Sequence, residues 1–183
     1  TDRIQKQITA GVDPGQIAVF YRVNSMSRPI EEAFIRARIP YQVVRGVEFY
    51  ARKEIQDFLS YLKLIANPVD DLAFLRAIGT HSRGIGKTSV DKLAQFAKDS
   101  GMSLLAAADY ADHLVSVSSS TRTRIREFAK MIQKFQQDSS GEVAPQMDCV
   151  FAETGYADAL KSEANTDAIE NINELINAAA EYD

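Results

Sequence analysis

Apolar residues recur along this chain with two different spacings, which predict two kinds of structure. Short continuous apolar runs at residues 16–21 and 41–44 flank a stretch with helical periodicity through Ile30, Phe34 and Ala37. The helix is predicted to begin at Ser25 or Ser27, and residues 46–50 are predicted as a short extended piece. Strand, helix and strand in this order predict a βαβ unit with buried parallel strands. The N-terminal part is therefore expected to be α/β, after a short amphipathic helix near the N-terminus.

From Lys53 onward the apolar positions follow helical spacing almost throughout. The stripes cover residues 55–65, 71–79, 89–99, 104–108, 125–135, 147–151, 157–160 and 169–179. A polar, Ser-rich stretch at 115–121 interrupts them and is the predicted domain boundary, and residues 139–141 are a predicted loop. We therefore expect an α/β start followed by a mostly α-helical region, with one domain over residues 1–114 and a second over 115–183.

Composition narrows the class of protein. The chain has 183 residues, a single cysteine and no apolar run long enough to span a bilayer, which favours a cytosolic protein. Neither His81 nor His113 has partners at metal-ligand spacing, so no metal site is predicted. The chain begins at Thr1 rather than Met, which suggests a piece of a longer protein.

The net charge of −4 conceals an asymmetry along the chain. Residues 1–140 carry 20 Lys and Arg against 15 Asp and Glu, whereas residues 141–183 carry one cation against 10 acids. A nucleic-acid surface should therefore lie before residue 140. The helix predicted through 125–135 and the residues just before it carry five cations against a single acid, Glu127, which fits either a solvated face or a backbone-binding face. The five cations are Arg122, Arg124, Arg126, Lys130 and Lys134.

A glycine turn between two predicted helices, Arg83-Gly84-Ile85-Gly86-Lys87-Thr88, is the strongest candidate for binding chemistry. Thr88 or Ser89 is predicted to cap the following helix. Glycines let a ligand approach the backbone, and the N-terminus of that helix attracts anions such as nucleic-acid phosphates. A Walker A loop would need glycine where His81 stands and a strand in front of the turn. The residues alone are also consistent with an ordinary turn between two helices that binds no ligand.

Tyr21-Arg22 falls at the carboxyl end of the first predicted strand, the edge where parallel sheets bind ligands. A tyrosine can stack on a base and an arginine can clamp a phosphate. A strand-end tyrosine beside a solvated arginine is the structural alternative.

Several blocks of the sequence resemble a known family. They are residues 17–28, Glu31-Glu32, residues 39–41, 46–57, 61–68 and 70–71, Arg83-Gly84-Ile85-Gly86, Gly155-Tyr156 and residues 169–175. In order and spacing they are similar to the UvrD/PcrA/Rep group of superfamily 1 DNA helicases. One departure is Ala168, where relatives often carry arginine.

The resemblance implies an ATP-dependent 3′-to-5′ DNA helicase and translocase that unwinds duplex DNA in repair or replication. The family has domains 1A, 1B, 2A and 2B. Residues 1–114 would be the first segment of 2A, a partial RecA-like domain of the P-loop NTPase type. Residues 115–183 would be the first segment of helical domain 2B. The protein would act in the bacterial cytosol, at the nucleoid.

The resemblance also assigns residues. Tyr21 would stack on the adenine of ATP, and Arg22 would reach the γ-phosphate as the catalytic residue. The turn from Arg83 through Gly84, Ile85, Gly86 and Lys87 to Thr88 would contact the DNA backbone. Less specific matches to DNA-contacting positions are Arg52, Lys53, Arg122, Thr154, Gly155 and Tyr156.

The expected partners are ATP, single-stranded and duplex DNA, domains 1A and 1B and the rest of 2A and 2B, with no membrane. Mg would be held by the absent domains, because the chain has neither a Walker loop nor an Asp-Glu pair for it. The chain alone is therefore expected to be inactive. A subunit of a recombination helicase-nuclease and a stand-alone helix-hairpin-helix DNA-binding module are the alternatives.

Overall fold

The computed structural model describes residues 1–23, 26–44, 47–138, 141–181 and 183. Its helices are α1 (Asp2–Thr9), α2 (Ser27–Arg36), α3 (Lys53–Ala66), α4 (Asp71–Ile78), α5 (Lys87–Ser100), α6 (Leu104–Asp109), α7 (Ser119–Gln137), α8 (Val143–Glu153), α9 (Tyr156–Ser162) and α10 (Thr166–Ala180). Short 3₁₀ turns lie at Pro14–Gln16, Phe49–Ala51 and Ala111–His113. Of the helices in this part of the chain, none is long and apolar enough to cross a membrane.

The predicted α/β start is wrong: across the described ranges no residue lies in a strand, and the predicted RecA-like sheet is not formed. Residues 17–21 and 41–43 lie outside any helix or strand, with Phe20 93% exposed and Val44 78% exposed. A strand exists only where a neighbour completes its hydrogen-bond ladder, and no described segment does so here. An apolar run shows which residues favour burial but not what pairs with them.

Three sequence interpretations fall partly outside the described residues. They are the start of α2 at Ser25, the extended piece beginning at Gly46, and the loop at residues 139–140. Of the extended piece, the described end forms the 3₁₀ turn Phe49–Ala51 instead.

Helix α3 is the centre of the fold. Its Phe58, Tyr61 and Leu64 are fully buried, and it packs against α4, α7, α8 and α10. An edge-to-face pair joins Phe58 to Phe151 of α8, with ring centroids 5.5 Å apart. Helices from both sides of residue 115 thus contribute to one hydrophobic cluster. The division into two domains at that residue stays a prediction.

Buried polar contacts hold the N-terminal part against the last helix. Arg28 of α2, only 5% exposed, binds Glu32 at 2.9 Å and Glu174 of α10 at 2.9 Å. Glu31 is 4% exposed and accepts the backbone N–H of Phe49 at 3.1 Å. Because buried charges are tolerated only when paired, these bonds fix where α2 lies.

Candidate nucleic-acid interface

The α4–α5 turn presents an open helix start. Gly84 has φ +65°, a left-handed conformation that favours glycine, and Gly86 is the N-cap of α5. Gly86 has no side chain, so no side-chain cap bonds the first turn of α5. The amides of Lys87 and Thr88 have no acceptor among the described residues, and both residues are exposed. The predicted cap at Thr88 or Ser89 is wrong because the helix begins earlier.

Arg83 turns inward and fastens this turn to the core. Its guanidinium donates to the Tyr61 hydroxyl at 2.5 Å, to the Thr154 carbonyl at 3.1 Å and to the Ala77 carbonyl at 3.2 Å. It also lies over the Phe128 ring, 5.2 Å from the centroid. That Arg83 contacts DNA stays a prediction; in this structure its guanidinium holds the turn in place.

The same arginine brings the turn at residues 154–156 beside the glycine turn. His81 stacks on Tyr156 with centroids 6.2 Å apart, and Gly155, at φ +76°, faces the His81 ring. Burial, and then the charge of Arg83, lower the pKa of His81 to about 4, so this ring is neutral at pH 7. Two segments that were predicted separately are therefore neighbours.

The side chains of this second turn are only partly available to a ligand. Thr154 is 4% exposed and Tyr156 is 3% exposed, with its hydroxyl 3.5 Å from a carboxylate oxygen of Asp57. Burial, and then the charge of Asp57, raise the pKa of Tyr156 above its usual value. Of the three residues, Gly155 is the most exposed.

Arg52 and Lys53 have different surroundings. Arg52 donates to Asn171 of α10 at 2.7 Å and to the Ser27 hydroxyl at 2.6 Å, so it holds elements together. The Lys53 side chain is 79% exposed and pairs with Asp57 at 2.6 Å. Lys53 and Tyr156 line one cavity of about 200 Å³, which places this lysine near the 154–156 turn.

The cations of α7 have different hydrogen-bond and ion-pair partners. Arg122 donates to the Asp112 carbonyl at 2.9 Å, and Arg126 pairs with the Asp112 carboxylate. Arg124 instead reaches the glycine turn, with Nη1 3.3 Å from the Gly84 carbonyl oxygen. Sequence reasoning named Arg124 only as one of five cations on this helix and did not place it at the glycine turn. The signal was available, because Arg124 precedes buried Phe128 by one helical turn and so shares its face.

Tyr21 and Arg22 lie in the exposed stretch between the 3₁₀ turn at Pro14–Gln16 and α2. Tyr21 is 37% exposed, and Arg22 has no hydrogen bond or ion pair with any described residue. Stacking of Tyr21 on adenine and binding of the γ-phosphate by Arg22 stay predictions. Among the described residues, no three His, Cys, Asp or Glu side chains come close enough to hold a metal ion.

Comparison with known proteins supplies the family. The family described as the UvrD-like helicase C-terminal domain matches residues 1–183. The chain is 36% identical over 174 residues to the ATP-dependent DNA helicase PcrA of Bacillus subtilis, a match covering 91% of this chain and 23% of that protein. PcrA of Staphylococcus epidermidis is 34% identical over 184 residues, with 98% of this chain and 25% of that protein covered.

The chain spans about a quarter of the length of the curated relatives it matches. These matches confirm the resemblance first seen in the sequence blocks. The chain belongs to the UvrD-like helicase C-terminal domain family.

Proposed function

We propose that this chain is the part of an ATP-dependent DNA helicase that grips the DNA backbone through the α4–α5 turn. The observation that carries the proposal is the uncapped start of α5 beside the exposed backbone of Gly84 and Gly86. Unpaired amides at a helix N-terminus attract phosphate, and an absent side chain lets the phosphate come close. Such contacts hold DNA without reading its sequence.

Lys87 supplies a cation at the first position of α5. It pairs with Asp91 one turn on, at 2.9 Å, but the two side chains are 89% and 59% exposed. An exposed ion pair of this kind contributes only about 0–1 kcal/mol to stability, so a phosphate can replace Asp91 as the partner of the ammonium group at little cost. The neighbouring turn at 154–156 would then border the same stretch of DNA.

We further propose that Tyr21 and Arg22 contribute to the nucleotide site of the whole helicase. ATP would supply the phosphoanhydride bond whose hydrolysis drives translocation. The exposed Tyr21 ring would stack on its base, and the Arg22 guanidinium would bind its terminal phosphate. Domains 1A and 1B and the rest of 2A and 2B would hold Mg and complete the site. The chain alone should therefore show no ATP turnover, and the whole protein should act on chromosomal DNA in the bacterial cytosol.

DNA binding by the chain tests the first proposal. Fluorescence anisotropy with a labelled duplex carrying a single-stranded tail would be measured from low to moderate salt, for the wild-type chain and for Lys87→Ala. Lys98→Ala is the matched control, because Lys98 is an exposed lysine in the last turn of the same helix. We expect salt-dependent binding that Lys87→Ala weakens several-fold and Lys98→Ala leaves unchanged.

Two results would contradict it. One is a folded chain, checked by circular dichroism, that binds no DNA even at low salt. The other is equal loss of affinity in the two lysine variants, which would point to charge spread over the chain rather than to this turn.

A further inference from the structure

We propose that Arg124 of α7 is a phosphate ligand of the α4–α5 turn, and that it leaves the Gly84 carbonyl for a DNA backbone phosphate. This inference rests on the proposed function and adds a residue from a different helix to the same site. It would make the site a two-sided grip, with α5 on one side and α7 on the other.

The partners of the neighbouring cations single out Arg124. Arg126 is neutralised by the Asp112 carboxylate, and Lys134 pairs with Glu153 at 2.6 Å. Arg124 has no carboxylate within ion-pair distance among the described residues, although Glu127 lies one turn away on the same helix. Arg122 also has no ion pair among the described residues, but its guanidinium donates to the Asp112 carbonyl, away from the turn. Arg124 combines an unpaired charge with a contact to the glycine turn.

Its position puts that charge directly on the glycine turn. A methyl group on Gly84 would come within 2.3 Å of Arg124 Nη1 and 2.9 Å of Cζ, so the guanidinium lies against the turn's backbone. Gly86, the N-cap of α5, follows two residues later. The guanidinium and the open amides of Lys87 and Thr88 consequently flank one short segment of chain.

The hydrogen bond that Arg124 makes in this structure is weak enough for a phosphate to replace it. The bond to the Gly84 oxygen is 3.3 Å long and exposed to water. A guanidinium has five N–H donors in a planar fork, which suits two oxygens of one phosphate better than a single carbonyl. Exchange of the carbonyl for a phosphate thus replaces one long bond to a neutral acceptor with shorter bonds to a charged one.

Three substitutions at this position separate charge from shape. Arg124→Ala removes the side chain. Arg124→Gln keeps a donor for the Gly84 carbonyl but not the charge, and Arg124→Lys keeps the charge but not the fork. Arg126→Ala is the control from the same helix. Affinity for the tailed duplex and its dependence on salt would be measured for each, with thermal unfolding as a check of folding.

We expect Arg124→Ala and Arg124→Gln to weaken binding by about 5–10-fold, and to reduce the slope of log K against log salt by about 0.7–0.9, the value for one phosphate contact. Arg124→Lys should keep the slope, and Arg126→Ala should change neither quantity. If Gln restores wild-type binding, Arg124 acts only by holding the turn, and the inference is wrong. An unchanged slope in all three variants also overturns it.

Failure of the proposed function can be distinguished from failure of the role of Arg124. If the wild type binds in a salt-dependent way and Lys87→Ala weakens it, the turn is a DNA site even when Arg124 proves dispensable. If the wild-type chain binds no DNA, the proposed function fails and the role of Arg124 fails with it.

Discussion

Gly84→Ala is the perturbation whose cost can be worked out most directly from this structure. Gly84 has φ +65°, and an L-residue in the left-handed region costs roughly 1–2 kcal/mol. The added methyl would also meet Arg124 Nη1 at 2.3 Å. That atom is the far end of a flexible, exposed side chain, so it can swing away and lose only the 3.3 Å bond to the Gly84 carbonyl. We therefore expect backbone strain to dominate, with a total loss of about 1–2 kcal/mol.

Gly101 provides a control with nearly the same backbone. It ends α5 with φ +64° and has no atom within 4 Å of the place where a methyl would stand. Gly101→Ala therefore measures the left-handed strain alone. If the reasoning is right, Gly84→Ala and Gly101→Ala should lower the free energy of unfolding by amounts that agree within about 0.5 kcal/mol, the usual margin of additivity.

Urea unfolding followed by circular dichroism would give both values. With a slope of roughly 2 kcal/mol per molar urea, the expected loss shifts each midpoint by about 0.5–1 M. Gly84→Ala should also cost the same in an Arg124→Ala background. A much larger cost for Gly84→Ala, relieved by Arg124→Ala, would show that the arginine cannot move aside. A cost near zero would show that the turn does not need its left-handed residue.

Two further outcomes follow from the contacts around the same turn. Arg83→Ala should lower the free energy of unfolding by about 3 kcal/mol, measured by urea unfolding, because it leaves Thr154 and Tyr61 without a charged donor and uncovers Phe128. A loss below about 1 kcal/mol, the size expected for Lys87→Ala at an exposed position, would contradict the structural role of Arg83. The pKa of His81 is lowered from 6.5 to about 4 in the fold, so its contribution to stability is complete above pH 6.5 and is lost as the pH falls toward 4. Since the ring is half-exposed, that contribution should be only about 1 kcal/mol, and a difference in pH dependence between the wild type and His81→Gln would measure it. If the free energy of unfolding depends on pH in the same way for the two proteins, the lowered pKa of His81 is contradicted.

The helices could be predicted where an apolar stripe was long. In α3 and α7 the positions expected to be buried, such as Phe58 and Phe128, are buried in the structure. A repeat over several turns leaves little choice of element, because only a helix brings those positions to one face. The family could also be recognised from ordered blocks of residues, since these need no knowledge of the fold.

The sequence could not show that the expected strands fail to form in the described chain, and the reason is physical. Residues 16–21 have the composition of a buried strand, yet Phe20 is almost wholly exposed. Strand formation depends on a neighbour that a local pattern does not contain. Residue preference favours a strand here, but the described chain offers no ladder to complete it.

The inward orientation of the Arg83 side chain could not be predicted from the sequence either. Its acceptors on Tyr61 and Thr154 lie 22 and 71 residues away along the chain. Before the fold is known, a cation beside a glycine turn indicates a phosphate ligand as readily as a structural clamp. Arg124 shows the reverse case, a cation 40 residues from Gly84 that the fold brings onto the turn.

The bond between Arg28 and Glu174 has a consequence for how the chain acquires its structure during synthesis. The two residues are 146 positions apart, so Arg28 has only Glu32 of its own helix as an ion-pair partner until the first half of α10 has been made. At about 5–20 residues per second, a ribosome takes roughly 7–30 s to cover that distance. Throughout that interval α2 and the exposed apolar stretch before it are held by local contacts only. Docking of the N-terminal part is therefore a late event in biosynthesis, one that falls after the α3–α7 core has had time to form.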